Sequence, residues 1–422
     1  MIQFLTHWKN RNFLRLWLAQ LISQFGDRIH QLALVGLIAE RSAGSAINLA
    51  KILAFTILPV FIIQPLAGVF VDRWNRRITL FVCDIVRGIL VLLIPFIFIY
   101  WHSLIPIYLI VFVVFSFSRF YVPAKMSIIP DLVEEKDLVM ANSLVSTTGM
   151  IAFCLGAALG GFFIDWWGAR SGFIIDAATY FISAVLLISM NLKKRLRETR
   201  MDWIAKGRHI VQTERSVWAE IKEGFIYLTK NKEIRTVVNT LYILMTACGA
   251  VYVVIIVFIQ QAFHSVTKDL GLLAVSIGVG LFCGVLIYGR WGRQIRWNKI
   301  IFGCLILGGL MIIVFALIVY WYQRLIISMV MAFFLGMVIG PIFIAANTIV
   351  HVVSDEKMRG KVFSALEMVT HFAFLTTMFL SSWMSRFVHE VWILTGAGVL
   401  VSMVGLMGLF YSRKNSSLAF KA

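Results

Sequence analysis

Long apolar runs separated by short polar turns dominate the chain. An α-helix rises about 1.5 Å per residue, so about 20 apolar residues cross the hydrocarbon core of a membrane. Twelve runs of suitable length occur, at residues 13–39, 49–71, 79–100, 104–122, 140–164, 172–191, 236–261, 270–289, 299–319, 325–346, 361–383 and 390–411. The pattern predicts an all-α integral membrane protein with twelve transmembrane helices.

One long polar segment divides these runs into two sets of six. It holds twelve Lys and Arg against six Asp and Glu, and its residues 216–229 have apolar side chains at helical spacing. We expect an amphipathic helix lying against the membrane surface. The predicted organisation is an N-terminal six-helix half, a linker with that helix, and a C-terminal six-helix half, at residues 1–191, 192–235 and 236–422.

The composition excludes a soluble globular protein. Hydrophobic residues make up 60% of the chain, charged residues 14%, and the mean hydropathy is +0.87. The formal net charge of +18 does not indicate a nucleic-acid partner, because the basic residues are scattered between apolar runs. They favour anionic lipid headgroups instead.

The distribution of basic residues predicts the orientation. An even number of spans places both termini on one side, and most Lys and Arg outside the spans fall on that side. The opposite loops hold Arg41, Arg170, Lys268, Arg324 and Arg386. Since Lys and Arg concentrate in cytoplasmic loops, we expect a multi-pass plasma (inner) membrane protein with both termini in the cytoplasm.

The sequence lacks patterns that would indicate metal binding or catalysis. Its five cysteines fall singly inside apolar runs, without metal-ligand spacing. The motifs H-E-x-x-H and G-x-S-x-G are absent. We therefore expect no metal, no cofactor and no enzymatic activity. The alternatives from other functional classes are an intramembrane enzyme and a non-transporting receptor.

The second apolar run ends in a short basic motif. Residues 68–77 follow the pattern G-x-x-x-D-R-x-x-R-R, formed by Gly68, Asp72, Arg73, Arg76 and Arg77. This pattern resembles the loop between helices 2 and 3 of major facilitator superfamily transporters. One position departs, since Asn75 stands where the family usually has Gly; both residues tolerate a left-handed turn.

The resemblance implies that this motif closes the cytoplasmic side during transport. Asp72 would then lie at the N-terminus of helix 11, and Arg73 would pair with an acid such as Asp84. Asp84 and Arg87 are spaced i,i+3 and are expected to form a structural or gating ion pair. Arg119 would reach the membrane surface or pair with Asp72 or Asp84.

Two spans carry ionisable residues. Asp27 and Arg28 lie near the middle of the first span, with His30 one turn after Asp27. Charges inside a membrane are costly, so they should face the bundle interior as part of a transport pathway, or neutralise each other and lock neighbouring helices. Glu367 and His371 share one face of the eleventh span, where they could relay a proton or form an interhelical contact.

Other segments narrow the resemblance to a branch. Pro-Ala-Lys at 123–125, Ile-Pro-Asp-Leu-Val at 129–133 and Arg-Gly-Lys-Val-Phe-Ser at 359–364 are similar to the macrolide-efflux and enterobactin-exporter branch. The two prolines before residue 133 predict a kinked loop after helix 4. The branch implies a proton-coupled exporter of a drug, macrolide or siderophore. The alternative is a lysophospholipid transporter, which shares Phe-Gly-Asp at 25–27 and Pro-Ala-Lys.

The fifth span contains Gly156, Gly160 and Gly161. Proton-coupled exporters of the superfamily usually have G-P-x-x-G-G here, and Ala157 replaces the proline. The kink therefore loses its steric cause, while the glycines still permit close helix packing. The expected partners are a small-molecule or lipid substrate, protons and membrane lipids, with the chain acting as a monomer. The expected proton carrier is Asp27, followed by Glu367.

Overall fold

The computed structural model describes residues 11–71, 74–101, 103–191, 232–291, 297–353 and 359–414, together with positions 219, 222, 223, 225, 226 and 228. Throughout these residues the regular structure is helical. The helices are α1 (Arg11–Arg41), α2 (Ala46–Ile57), α3 (Pro59–Ile62), α4 (Gln64–Val71), α5 (Arg76–Tyr100), α6 (Ile105–Leu132), α7 (Leu138–Trp167), α8 (Ala169–Ile188), α9 (Lys232–Phe263), α10 (Lys268–Trp291), α11 (Trp297–Tyr322), α12 (Leu325–Val353), α13 (Arg359–Met384) and α14 (Glu390–Lys414).

The all-α membrane fold is confirmed. Each of the twelve predicted runs falls on helix, and nine of the described helices are long and apolar enough to cross a membrane. These nine do not include the short helices α2–α4. They also do not include α1 and α13, the two helices that carry the residues predicted to form the transport pathway.

The second predicted span is divided, which corrects the expectation of one continuous helix over 49–71. Helix α2 ends at Ile57, α3 begins at Pro59, and Pro65 is the second residue of α4. Proline has no backbone N–H and cannot continue the hydrogen-bond ladder, so each of the two later segments starts at or beside a proline.

The predicted loop after the fourth span is also wrong. Helix α6 continues through Pro123 and Pro130 to Leu132, and a single 3₁₀ turn at Glu135–Asp137 leads into α7. The extension is fastened from outside: Arg76 donates to the Ser127 carbonyl at 2.9 Å and to Asp131 at 2.6 Å. Tertiary contacts here outweigh the local signal of the prolines.

The chain forms two compact units. Unit 1 comprises residues 1–33, 55–156 and 167–221, and unit 2 comprises 34–54, 157–166 and 222–422. In unit 1, α5 packs against α6 and α8. Its apolar core includes Leu16, Leu80 and Ile128, each fully buried. The division into two six-helix halves stays a prediction.

Unit 2 is built from helix pairs whose backbones touch. Helix α10 packs on α12, α11 on α14, and α9 on α13. A Cβ added to Gly280 of α10 would overlap the carbonyl oxygen of Phe333 in α12, and one on Gly336 would overlap that of Ile277. Small residues thus permit the close approach that stabilises helix pairs in membranes.

The predicted linker helix is seen only in part. Positions 219, 222, 223, 225, 226 and 228 are helical, with Leu228 buried in the core of unit 2 and Phe225 exposed. The expectations for residues 192–218 lie outside the described residues.

Candidate functional site

Ionisable side chains from three helices meet inside unit 1. On α1, Asp27 is half-buried and accepts a hydrogen bond from the hydroxyl of Tyr180 on α8. The Tyr180 side chain is 2% exposed. This contact joins the middle of α1 to the middle of α8 through a carboxylate and a neutral donor.

A second carboxylate lies on α5. Asp84 is fully buried and forms an ion pair with Arg87, one turn along the same helix. Its other oxygen accepts a hydrogen bond from Ser183 of α8 at 2.5 Å. Both oxygens of Asp84 are therefore engaged by donors.

The guanidinium of Arg87 lies between two aromatic rings. Its central carbon is 4.6 Å from the ring centroid of Tyr121 and 4.4 Å from that of Tyr180. Such cation–π contacts are strongest where water is excluded, and Arg87 is 2% exposed. Tyr180 therefore contacts both Arg87 and Asp27.

A third buried contact joins α1 to α8. Nδ1 of His30 lies 3.0 Å from Oδ2 of Asp176, with side-chain exposures of 2% and 0%. The imidazole packs edge-on against the rings of Phe115 and Phe173. Of these two residues, only His30 was predicted from the sequence to be a site residue.

The α8 side of the site was missed from the sequence. Asp176, Tyr180 and Ser183 stand at i, i+4 and i+7 in an otherwise largely apolar span, so they share one helix face. That spacing was available as a signal, and each of the three contacts an ionisable residue of α1 or α5.

The basic motif after α4 is described in part. Gly68 lies in α4, while Asp72 and Arg73, with the pairings expected of them, lie outside the described residues. Arg77 donates to the carbonyl of Ile188, the last residue of α8, at 2.7 Å. With the contacts of Arg76 to α6, the motif ties the start of α5 to two neighbouring helix ends.

Asn75 has a different role from the expected left-handed turn. Its backbone is extended, with φ −69° and ψ 107°, and its side chain accepts a hydrogen bond from the N–H of Ile78 at 3.2 Å. It is the N-cap of α5, a position that favours Asn for this hydrogen bond.

The other predicted basic residues have polar or aromatic neighbours. Arg28 donates to Gln31 at 3.1 Å and lies over the ring of Phe153. Arg119 of α6 donates to Gln64 of α4 at 3.3 Å. Lys125, from the predicted Pro-Ala-Lys segment, is 9% exposed.

The predicted pair on α13 lies in unit 2. Nδ1 of His371 donates to the backbone carbonyl oxygen of Glu367 at 2.8 Å. This hydrogen bond fixes the imidazole on its own helix and leaves Nε2 to face other groups. A proton relay between the two side chains stays a prediction.

The glycines of α7 are close-contact positions. A Cβ on Gly156 would lie 2.6 Å from Cβ of Arg28, within unit 1. A Cβ on Gly161 would lie 2.9 Å from the carbonyl oxygen of Thr267, within unit 2. Gly160, which lies between these two in sequence, is also buried. Any side chain at Gly156 or Gly161 would push a neighbouring helix away.

Among the described residues, no three His, Cys, Asp or Glu side chains are placed to hold a metal ion. The described side chains of the site are carboxylates, an imidazole and phenols, which can hold or move protons and can bind polar groups of a ligand.

Comparison with known sequences gives the family. The family model of the Major Facilitator Superfamily matches residues 16–372. The chain is 24% identical over 406 residues to the uncharacterized MFS-type transporter YkuC of Bacillus subtilis, covering 94% of this chain and 91% of that one. It is 26% identical to the putative bacilysin exporter BacE of Bacillus amyloliquefaciens, and 72% of each chain is covered.

Two further similarities agree with this. Macrolide efflux protein A of Streptococcus pyogenes is 22% identical, with 68% of each chain covered. A crystal structure of a POT family transporter in complex with a thioalcohol conjugated peptide superposes with a TM-score of 0.71 at 11% identity, covering 96% of both chains. Since the family model spans most of the sequence and the fold agrees, the chain belongs to the Major Facilitator Superfamily of transporters.

Proposed function

We propose that the chain is a secondary active transporter that exports an amphipathic small molecule in exchange for protons. It would work by alternating access in the plasma (inner) membrane, with both termini cytoplasmic. The observation that carries the proposal is the half-buried carboxylate of Asp27 in the middle of α1, which accepts a hydrogen bond from Tyr180. An ionisable group at that depth marks a transport pathway.

The contacts of Asp27 suit a proton carrier better than those of Asp84. Asp84 is bound to a guanidinium, so protonating it would leave Arg87 as an uncompensated buried charge. The described partner of Asp27 is a neutral hydroxyl, which can donate to the charged form and accept from the protonated form. Asp27 can therefore change protonation without breaking an ion pair.

The substrate class is proposed from the relatives. Those named for a function are a putative bacilysin exporter and a macrolide efflux protein. Both names describe the removal of a small molecule from the cell. We extend to this chain the shared element, which is export of a small molecule. Drugs and macrolides are the first candidate substrates, and siderophores are added from the sequence resemblance alone.

The motif after α4 would contribute to the gate. Arg76 binds the end of α6 and Arg77 binds the last carbonyl of α8, so α5, α6 and α8 are fastened together at one end. A rigid group of helices is what rocking of one bundle against another requires. Gly68, Asp72 and Arg73 would complete the motif on the side that closes.

The test uses the full chain reconstituted in liposomes with an imposed pH gradient. Candidate substrates are first selected by thermal-stability shift of the detergent-purified protein, from macrolides, lipophilic cations, catecholate siderophores and lysophospholipids. We expect a drug or siderophore to be transported against its gradient when the proton gradient is present. The variant Asp27→Asn should lose this proton-driven transport.

Asp165→Asn is the matched control, because Asp165 is an exposed carboxylate at the end of α7. It should transport like the original chain. Transport by Asp27→Asn with unchanged pH dependence would remove the proposal. Stabilisation and transport of lysophospholipids alone would replace the exporter by the lysophospholipid transporter.

A further inference from the structure

The contact between His30 and Asp176 takes no part in the mechanism proposed above, although it is as deeply buried as any ionic contact described in the chain. The two side chains are 2% and 0% exposed, and 3.0 Å separates Nδ1 from Oδ2. The hydroxyl of Thr179 lies 3.4 Å from the other carboxylate oxygen. In the described part of the chain, neither ring nitrogen of His30 nor Oδ2 of Asp176 meets the geometry of a hydrogen bond, so the 3.0 Å approach is an ionic contact.

The backbone of α1 is shaped to receive this carboxylate. A Cβ on Gly26 would lie 2.5 Å from Oδ1 of Asp176 and would overlap Oγ1 of Thr179. Asp176 therefore rests directly on the α1 backbone, one residue before Asp27. This contact explains the glycine of the Phe-Gly-Asp segment, since any side chain there would displace the acid from His30.

The pair holds one proton in its neutral state. With one proton bound to either group, the net charge of the pair is zero; without it, a single negative charge stays buried in a low dielectric. Asp27 directly follows Gly26, the residue against which the Asp176 carboxylate packs, so the charge on Asp27 acts on the pair. Two buried negative charges repel, so loss of the proton from one site favours its retention at the other.

The other charged and titratable groups around the pair are known. Arg87 of α5 also acts on Asp176, and it is itself neutralised by Asp84. Tyr180 lies one turn from Asp176 on α8 and contacts Asp27. On α6, the ring facing His30 is Phe115, which does not titrate. Among these neighbouring groups, Asp27 is therefore the one whose change of charge would alter proton binding by the pair.

We propose that His30 and Asp176 form a second buried proton-binding site, whose occupancy is coupled to that of Asp27 across the α1–α8 contact at Gly26. The inference rests on the proton coupling proposed above and adds a second station to it. When Asp27 takes up a proton, the pair releases its own more readily, and when Asp27 is charged the pair keeps it.

The experiment measures proton binding directly, without a gradient or a substrate. Infrared spectra of the full chain in liposomes, with ring-labelled histidine, are recorded across a pH series. We expect one imidazole signal to vanish in His30→Gln. In Asp27→Asn its midpoint should move to lower pH by about one unit, because a neighbouring negative charge has been removed.

The matched control is His389, whose Nδ1 lies 3.7 Å from Oε2 of Glu390 while the side chain is 50% exposed. Its signal, identified with His389→Gln, should not respond to Asp27→Asn. The double variant His30→Gln/Asp176→Asn keeps a neutral hydrogen-bonding pair, so it should fold while lacking the titrating signal and flattening the pH profile of transport.

The inference is overturned if the His30 signal has the same midpoint in Asp27→Asn as in the original chain. It is also overturned if the double variant lowers thermal stability but leaves the pH profile intact, which would mark a structural role. If the pair titrates but transport does not depend on protons, the proton-binding site stands and the proposed function fails. If Asp27→Asn abolishes proton-driven transport but the pair does not titrate, the proposed function stands and the second site fails.

Discussion

The helices within unit 1 and those within unit 2 are held together by different kinds of contact. In unit 1, buried contacts between helices involve charged groups: Asp84 with Arg87 and Ser183, His30 with Asp176, and Asp27 with Tyr180. In the described part of unit 2, the helix pairs meet through backbone contacts at glycines. Glycine contacts stabilise without titrating, whereas buried charges are costly and persist where they serve a function. The described buried ion pairs thus lie in unit 1, whereas the closest contacts to a neighbouring helix backbone lie in unit 2.

The largest effect on this comparison is expected from Arg87→Ala. The variant leaves Asp84 buried without its cation, so we expect a loss of about 3–5 kcal/mol in the free energy of unfolding. The measurement is the unfolding of the purified protein in detergent. The double variant Asp84→Leu/Arg87→Met removes both charges and fills the same space with apolar groups. It should recover most of the loss.

If Arg87→Ala unfolds like the original chain, the ion pair does not organise unit 1. If the double variant is as unstable as the single one, the loss comes from packing rather than from an uncompensated charge. We expect the double variant to recover stability but not transport. That result would show that the buried charges are required for function and not for the fold.

A smaller effect is expected from Gly280→Ala in unit 2. The added methyl group would meet the carbonyl of Phe333, so α10 and α12 must move apart at a cost of about 1–3 kcal/mol. Gly303→Ala is the control, since no atom lies within 4 Å of a Cβ added there. It should be neutral or stabilising by up to about 1 kcal/mol, because alanine favours helix.

Equal stabilities of Gly280→Ala and Gly303→Ala would contradict the account of unit 2 as a frame of touching backbones. Transport offers a second readout. Gly280→Ala should leave the pH dependence of transport unchanged even where it lowers the amount of folded protein, which distinguishes it from variants in unit 1.

The positions of the helices follow from the sequence, but the contacts between them do not. Apolar runs of about 20 residues are a local signal, so the spans were predicted. The breaks at Pro59 and Pro65 also have a local cause, yet Pro123 and Pro130 did not end α6. The difference lies in tertiary contacts such as those of Arg76, which the local pattern does not contain.

The ionic contacts show the same limit. Asp84 and Arg87 are one turn apart, and the sequence predicted their pairing from spacing alone. His30 and Asp176 are 146 positions apart, and no local spacing links them. Helix α8 buries it against α1 because Gly26 leaves room. Such a pairing depends on how two helices pack against each other, and the sequence of one helix alone does not determine that packing.

The smallest predicted effect concerns the end of α5, where the fastened part of unit 1 begins. Asn75→Ala removes the side-chain acceptor of the Ile78 N–H, and we expect a loss of about 1 kcal/mol in the free energy of unfolding. Asn75→Asp retains an acceptor and should cost less.

Asn75→Gly should cost only a few tenths of a kcal/mol, because glycine is itself a tolerated N-cap. Capping therefore predicts that stability rises from the Ala variant to the Gly variant to the Asp variant. A left-handed turn would instead make the Gly variant the most stable, because glycine favours positive φ. The observed φ of −69° agrees with the capped geometry. If Gly proves more stable than Asn in thermal unfolding, the capping account fails. The ranking therefore decides why this chain has Asn at a position where the superfamily usually has Gly.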